Sequence, residues 1–389
     1  MKIAQCLEYP LALRGGVSVV VEALGRELAK RGHEILLVSP DTAESLRESN
    51  FHHFVGQHIA WKPGVTSPAA ARKLAQELKS AGVDLAHFHA GGNYGWNNRV
   101  PFRSPVYHLN RLGIPVLWTS HRAETILDGF CGPQKPLLFK LALLPLAWLG
   151  KLHQLYHSRF EIAVSQNNLK KLKRWYAPLR SRFVQIYHSR LDEDLPADES
   201  VRREPEILSV GHLAAVKGQT VLLDAFQRIA PNNREFKLLV AGHGGEDGTL
   251  DRMQKVIKEN QLEKQVVLLG QRSDVRGLMR RATIYVQPSL NEALGLALQE
   301  AMFYGCAAVA TRVGGIPELI EDGKTGALVA AGNASELSAA LERLIREPEL
   351  AKRWGAEAAN SIRNRGMTLK GMTDRYLELY QKVTRKNES

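Results

Sequence analysis

Cysteine is scarce in this 389-residue chain: only Cys6, Cys131 and Cys306 occur, far apart and with no CxxC pair. An odd number at such spacing excludes a disulfide framework and a structural zinc site, and it points to a reducing compartment. No unbroken apolar run reaches the roughly 20 residues that a membrane-spanning helix needs. The opening MKIAQCLEYP lacks a long apolar core ahead of a cleavage site, so no signal peptide is read and a cytoplasmic protein is expected. No repeat of about 20 to 50 residues is present, which excludes a solenoid. Acidic residues are in deficit, 40 against 52 lysines and arginines, leaving a formal charge of +12. That sign favours anionic partners: nucleic acid, an anionic bilayer or a phosphorylated substrate. No nucleic-acid reading motif accompanies the charge, so nucleic acid is not expected.

What is present is a soluble globular composition, 44% hydrophobic and 24% charged, on a chain long enough for two domains and a cleft between them. The first segment alternates strand KIAQCL, glycine loop ALRGGV, helix SVVVEALGRELAKRG and strand HEILLVS, a βαβ opening in which Val20, Leu24 and Leu28 recur at helical spacing. Segments LAQELKSAG, DLAHFHA and IPVLWTSH continue the pattern. Residues 192 to 206, DEDLPADESVRREPE, are charged, carry proline and lack an apolar period, as a linker does. A second alternation follows, from EILSVGH to GALVAAG. The expected architecture is α/β, two Rossmann-like domains facing a cleft. The expected division is residues 1–192, with a C-terminal helix 369–389 crossing back, and residues 193–368.

The stretch LLFKLALLPLAWLGKL, residues 137 to 152, stands apart because 137 to 149 are apolar except for Lys140. Two readings are open: a buried helix pair broken at Pro145, or an interfacial anchor whose Lys135, Lys140, Lys151 and Arg159 meet anionic headgroups.

Chemistry concentrates in YVQPSLNEALGLALQEAMFYG. It reads as strand, loop and helix, with Glu292 in the loop, Ala293 and Leu294 following it, Gly295 and Leu296 at the helix start, and Gly305 as the helix stop. A helix start offers unpaired N–H groups to a diphosphate, and carboxylates such as Glu292 and Glu300 suit vicinal sugar hydroxyls. Each acid also has a plainer reading, Glu292 offsetting the helix dipole and Glu300 as a solvated helix position.

The longer block, residues 288 to 329, resembles the nucleotide-sugar site of retaining family-4 glycosyltransferases of the GT-B fold. The pattern of Glu, seven residues, Glu, a glycine, then Gly-Gly with Glu three beyond falls on Glu292, Glu300, Gly305, Gly314, Gly315 and Glu318. SVGHLAAVKGQ resembles the family's diphosphate loop, with Lys217 in the lysine place and His212 replacing the usual arginine. Arginine brings a permanent charge and a fork, whereas histidine brings a single donor. Gly15 and Gly16 stand where the family has a glycine-rich loop. His121 matches the histidine that the family sets beside the donor sugar's reacting carbon. His87 and His89, two apart on a strand, share one face, and His89 and Arg122 are candidates for the acceptor side. VAGHGGEDGTLDRM carries Gly242, Gly244 and Gly248 at GxGxxxG spacing without the following acid of a dinucleotide fingerprint. It reads instead as a loop lining the donor base pocket with Gly270 and Gln271. VQIYHSRLDEDL departs from the family's Pro-Asn-Gly crossover, leaving His188 without an assigned role.

The resemblance implies a retaining glycosyltransferase with His121, Lys217 and Glu292 in catalysis. The expected donor is a UDP-, GDP- or ADP-sugar and no cofactor or metal is expected, while the basic apolar segment 137–152 leans toward a glycan or lipid-linked acceptor at the inner face of a membrane. A GT-B-fold epimerase, a phosphorylase and a silent nucleotide-sugar-binding protein share the same cleft.

Overall fold

The computed structural model describes residues 1–11, 15–61, 67–92, 94–122, 135–192 and 202–385. The chain divides into two compact units, Met1–Arg190 with Leu369–Ser389, and Leu191–Thr368.

Unit 1 holds seven parallel strands: β1 (Lys2–Leu7), β2 (Glu34–Ser39), β3 (Val55–Ala60), β4 (Leu85–Ala90), β5 (Val116–Ser120), β6 (Phe160–Ala163) and β7 (Phe183–Gln185). Their order is β3-β2-β1-β4-β5-β6-β7. Strand order reverses between β1 and β4, which is where open α/β sheets place ligands. Every residue of β4 and β5 is buried, the burial expected of parallel strands covered by helices on both faces. The C-terminal helix Leu369–Arg385 belongs to this unit: Arg31 pairs with Asp374, and Tyr380 bonds His87 of β4 at 2.7 Å.

Unit 2 has six strands: β8 (Glu204–Val210), β9 (Lys237–Ala241), β10 (Val266–Gly270), β11 (Ala282–Gln287), β12 (Ala307–Thr311) and β13 (Ala327–Val329). The order β10-β9-β8-β11-β12-β13 reverses between β8 and β11. Its core is aliphatic, built from such residues as Ile207, Leu222, Val240, Ile284 and Val309.

Residues Leu137–His157 form one helix with Pro145 inside it, not a buried pair broken at the proline. Pro145 lies on the exposed side, where water can satisfy the carbonyl that loses its partner. The helix is amphipathic in reverse. Its buried residues are Lys140, Ala147, Gly150, Lys151, Gln154 and Leu155, while Leu137, Leu138, Leu149 and Tyr156 are 65%, 83%, 54% and 68% exposed. Lys151 does not face outward as a headgroup contact requires. It is fully buried and its ammonium lies 2.7 Å from the equally buried Glu161 of β6. Ser120 Oγ donates to the same carboxylate at 2.8 Å. Burial pulls the Lys151 pKa down and the Glu161 charge pushes it back up. Lys140 is buried as well, and of the basic residues in this stretch Lys135 is exposed.

Removing one partner of a buried pair strands the other charge. Lys151→Met is therefore expected to lower unfolding free energy by about 3–5 kcal/mol, and adding Glu161→Leu to restore most of it. Urea titration of the three proteins checks this, and equal midpoints for the single variant and wild type would refute it.

Candidate functional site

In unit 2 the loops that leave the carboxyl ends of β8 and β11 meet at the point of strand reversal. The β8 loop ends in a short 3₁₀ turn, Ala215–Lys217, and Gly218 caps the next helix with φ +70°. A side chain at Gly218 would put its Cβ 2.0 Å from the Pro288 carbonyl oxygen, so only glycine allows the loops to touch. Leu290 N–H donates to Val216 O at 2.8 Å across the same seam.

This contact joins the two residues on which the sequence pattern centres. Lys217 Nζ donates to Glu292 Oε2 at 2.7 Å, with the lysine 28% and the glutamate 14% exposed. Glu292 Oε1 accepts from Ala293 N–H at 3.1 Å, and Ser289 Oγ lies 3.4 Å from Oε2. Behind Ser289 the chain of bonds runs to Gln287 Nε2 (2.8 Å) and on to the Tyr285 hydroxyl (2.9 Å), all buried. Burial raises the Tyr285 pKa well above 10, and the Glu300 and Glu292 carboxylates raise it further.

The helix Leu296–Phe303 begins at Gly295, which has φ +99° and no side-chain cap, and no acid lies in its first turn. Its leading N–H groups are thus open to an anion. Glu292 does not serve as a dipole-offsetting acid, because its oxygens face Lys217 and Ala293. Glu300 is 6% exposed rather than solvated. Leu294, 3% exposed, has its side chain in the interior, so only its backbone is available to a ligand, while Leu296 and Ala293 are half-buried. Gly305 stops the helix at φ +77°. Gly314 explains the Gly-Gly pair: a Cβ there would sit 1.6 Å from the Glu292 carbonyl oxygen.

His212 is half exposed, with Nε2 3.7 Å from Glu246. Gly242 and Gly244 serve packing, since their Cβ atoms would meet the Gly211 carbonyl at 1.8 Å and the His212 ring at 2.4 Å. Gly270 closes β10 and its carbonyl accepts from Gly242 N–H at 2.8 Å, while Gln271 is exposed beside it.

Unit 1 gathers a different cluster at its own reversal. His87 and His89 of β4 share a face, their ring centroids 4.0 Å apart. His89 is 0% exposed, with Nε2 2.7 Å from Gln5 Oε1 and Nδ1 3.2 Å from His121 Nε2. With both nitrogens engaged it stands behind His121 and does not reach an acceptor, a correction to the acceptor-side expectation. His87 lies between Tyr380 and Thr119, each at 2.7 Å. Thr119 continues to Tyr376 (3.3 Å) and Tyr376 to His188 Nε2 (2.8 Å). His121 follows β5, is half-buried, and its ring centroid is 4.9 Å from that of His188. Arg122 beside it is exposed. Gly15 caps the first helix and Gly16 begins it, both exposed and neither at positive φ, and Gly15 N–H donates to Ser18 Oγ. Residues 12–14 and 123–134 lie outside the described residues.

Sequence reasoning passed over Gln5, Thr119, Tyr376 and Tyr380 and left His188 unassigned. Tyr285, Gln287 and Ser289 were also missed, although period-2 spacing along YVQPS puts all three on one face. The distant Tyr376 and Tyr380 carry no local signal.

Two family models match successive parts of the chain, Glycosyltransferase Family 4 over residues 14–192 and Glycosyl transferases group 1 over residues 192–361. The chain belongs to the retaining family-4 glycosyltransferases of the GT-B fold. It is 25% identical over 385 residues to N-acetyl-alpha-D-glucosaminyl L-malate synthase of Bacillus anthracis, covering 96% of each chain. It is also 25% identical to a phosphatidyl-myo-inositol mannosyltransferase of Mycobacterium leprae, covering 93% of this chain and 92% of that one. The Anabaena Alr3699/HepE structure in complex with UDP and glucose superimposes with TM-score 0.73 at 18% identity, over 98% of this chain and 100% of the other. The protein is a glycosyltransferase. The epimerase and phosphorylase readings gain no support from these matches.

Burial holds all four histidines of the transferase's unit 1 cluster neutral, lowering the pKa values of His87, His89 and His121 well below 6.5 and that of His188 to about 3. The unfolded chain binds these protons near pH 6.5, so below that pH it holds more protons than the folded one and stability falls as pH drops toward 3. Urea midpoints of unit 1 are expected to be flat above about pH 7 and to decline below pH 6.5. His188→Gln should make the decline shallower, and an unchanged slope would refute the assignment.

Proposed function

We propose that unit 2 holds the donor diphosphate between Lys217 and the open start of the helix Leu296–Phe303. The observation that carries this is the 2.7 Å contact of Lys217 with Glu292 beside an uncapped helix end. The Glu292 carboxylate pairs with the Lys217 ammonium. An incoming diphosphate replaces it, which frees Glu292 to accept hydrogen bonds from the donor sugar's hydroxyls. Glu300 takes the ribose diol, and the backbone from Ala293 to Leu296 lines the diphosphate. His212 stands beside Lys217 in the diphosphate loop, and Gly270 and Gln271 border the base side. The donor is a UDP-, GDP- or ADP-sugar, and the UDP in the Anabaena protein supports the first.

As the bond to the sugar breaks, charge grows on the leaving diphosphate, where one ammonium and several amide dipoles stabilise it. A phosphate oxygen of the leaving group takes the acceptor proton on the same face, which retains the anomeric configuration. Unit 1 is the acceptor half, with the exposed Arg122 on the acceptor side. The amides of Gly15 and Gly16 let the donor's phosphate or sugar approach, and His121 offers a ring nitrogen to a sugar hydroxyl. Lys217 and the helix start do the work that a divalent ion does elsewhere, so the reaction is metal-independent.

Lys217→Ala and Glu292→Ala are each expected to lower turnover by about 10²–10³ with the fold unchanged by circular dichroism. Transfer at wild-type rate in both variants would refute the site. EDTA should leave activity intact, and a loss that Mg²⁺ restores would overturn the metal-free mechanism.

The acceptor is a lipid-linked or cell-envelope glycan reached from the cytoplasmic face of an anionic membrane. No helix among the described residues is long and apolar enough to cross a membrane. A surface contact is supported by the exposed apolar side of the helix Leu137–His157 and by the basic helix Gln166–Trp175 packed beside it. Lys170, Lys173, Arg174 and Arg180 are exposed there. The Mycobacterium leprae relative, named for a phosphatidyl-inositol acceptor, agrees with this. The protein is expected to float with vesicles containing phosphatidylglycerol, and Leu138→Asp with Leu149→Asp to abolish flotation; recovery in the soluble fraction with all vesicles would refute the contact.

A further inference from the structure

Gln5 of β1 touches two chains of hydrogen bonds at once. Its carbonyl oxygen lies 2.7 Å from His89 Nε2 and its amide nitrogen 3.4 Å from the Tyr380 hydroxyl. An amide oxygen only accepts and an amide N–H only donates, so the two ends impose opposite polarity on the two chains.

On the first chain, His89 Nε2 must carry the proton. His89 is neutral because burial depresses its pKa, so its Nδ1 is bare and His121 Nε2 donates to it across 3.2 Å. His121 is neutral for the same reason, which leaves its Nδ1 as an acceptor. On the second chain, Tyr380 receives the Gln5 N–H and passes its own proton to His87 Nδ1. His87 Nε2–H then donates to Thr119, Thr119 to Tyr376, and Tyr376 to His188 Nε2. A neutral His188 therefore carries its proton on Nδ1. Neither Nδ1 has a partner among the described residues, and the two rings lie 4.9 Å apart.

We propose that Gln5 is a positioning residue that sets the tautomers of His121 and His188, presenting one acceptor and one donor that together bind a single hydroxyl of the substrate. The hydroxyl donates to His121 Nδ1 and accepts from His188 Nδ1–H. Both its hydrogen and its lone pair are read, so a deoxy or methylated analogue loses both contacts. This use of the pair rests on the transferase reading above, whereas the wiring does not.

Nitrogen-15 spectra of histidine-labelled full-length protein, assigned with His121→Gln and His188→Gln, read the tautomers directly with no sugar present. The expected wild-type pattern is Nε2–H for His121 and Nδ1–H for His188. In Gln5→Glu the carboxylate accepts from both chains, so His121 keeps its tautomer and His188 switches to Nε2–H. In Gln5→Leu both rings become mixtures, and kcat falls about tenfold with little change in the donor KM. A wild-type His121 protonated on Nδ1, or a His188 signal unmoved in Gln5→Glu, overturns the proposal. Correct tautomers in a protein that transfers no sugar would instead count against the functional reading alone.

Discussion

Parallel strands can be joined only by crossovers, and where the order of strands reverses, successive crossovers leave to opposite faces and their loops part. The chemistry of both units depends on that constraint. In unit 2 the parting loops follow β8 and β11, and they bring Lys217 and Glu292, 75 positions apart in sequence, to 2.7 Å. Contact at that range requires backbones to approach without side chains between them. Gly218 against Pro288 and Gly314 against Glu292 provide it, and a methyl group at either would push the loops apart. The carboxylate is therefore held from behind by backbone and in front by the lysine.

The two units meet different chemical demands with opposite electrostatics. Unit 2 keeps a charged lysine partly exposed and pairs it with the carboxylate of Glu292. Unit 1 instead gathers four histidines that burial keeps uncharged and that neighbouring histidines would repel if protonated. Tyr380 and Thr119 supply the hydroxyls that stabilise such a cluster, since each buried ring nitrogen of His87 then has a partner.

Alternating apolar runs and helical periods in KIAQCL, HEILLVS or FKLLVAG made the two parallel sheets legible, because a strand buried on both faces leaves an uninterrupted apolar signature. The helix start at Gly295 was legible for a similar reason, a glycine between a strand and an apolar helix having few other uses. Short edge strands such as β3 and β7 were not, since β3 is largely exposed and β7 has only three residues. The histidine cluster was half legible: His87 and His89 share a face by spacing alone. Gln5 and Tyr380, separated by 375 positions, are joined only by the fold. Lys151 misled because a lysine in an apolar run ordinarily marks a surface, and here its partner Glu161 arrives from a strand ten residues on.

That buried pair has a structural use beyond its own modest net energy. The helix Leu137–His157 packs Leu155, Trp148 and Leu152 on the core, yet it also turns Lys140, Gly150, Lys151 and Gln154 inward while Leu137, Leu138 and Leu149 face outward, an orientation that hydrophobic burial alone does not favour. Lys151 fixes the choice. Only one rotation lets its ammonium reach Glu161 and Trp118, which its charge faces at 5.2 Å from the ring centroid, and every other rotation strands a carboxylate inside the sheet. Gly150 completes the lock, because a side chain there would strike the backbone oxygens of Asn98 and Arg99 at 2.6 Å. The apolar face is thus held outward by a polar interaction, which is the reverse of how a surface helix is usually oriented.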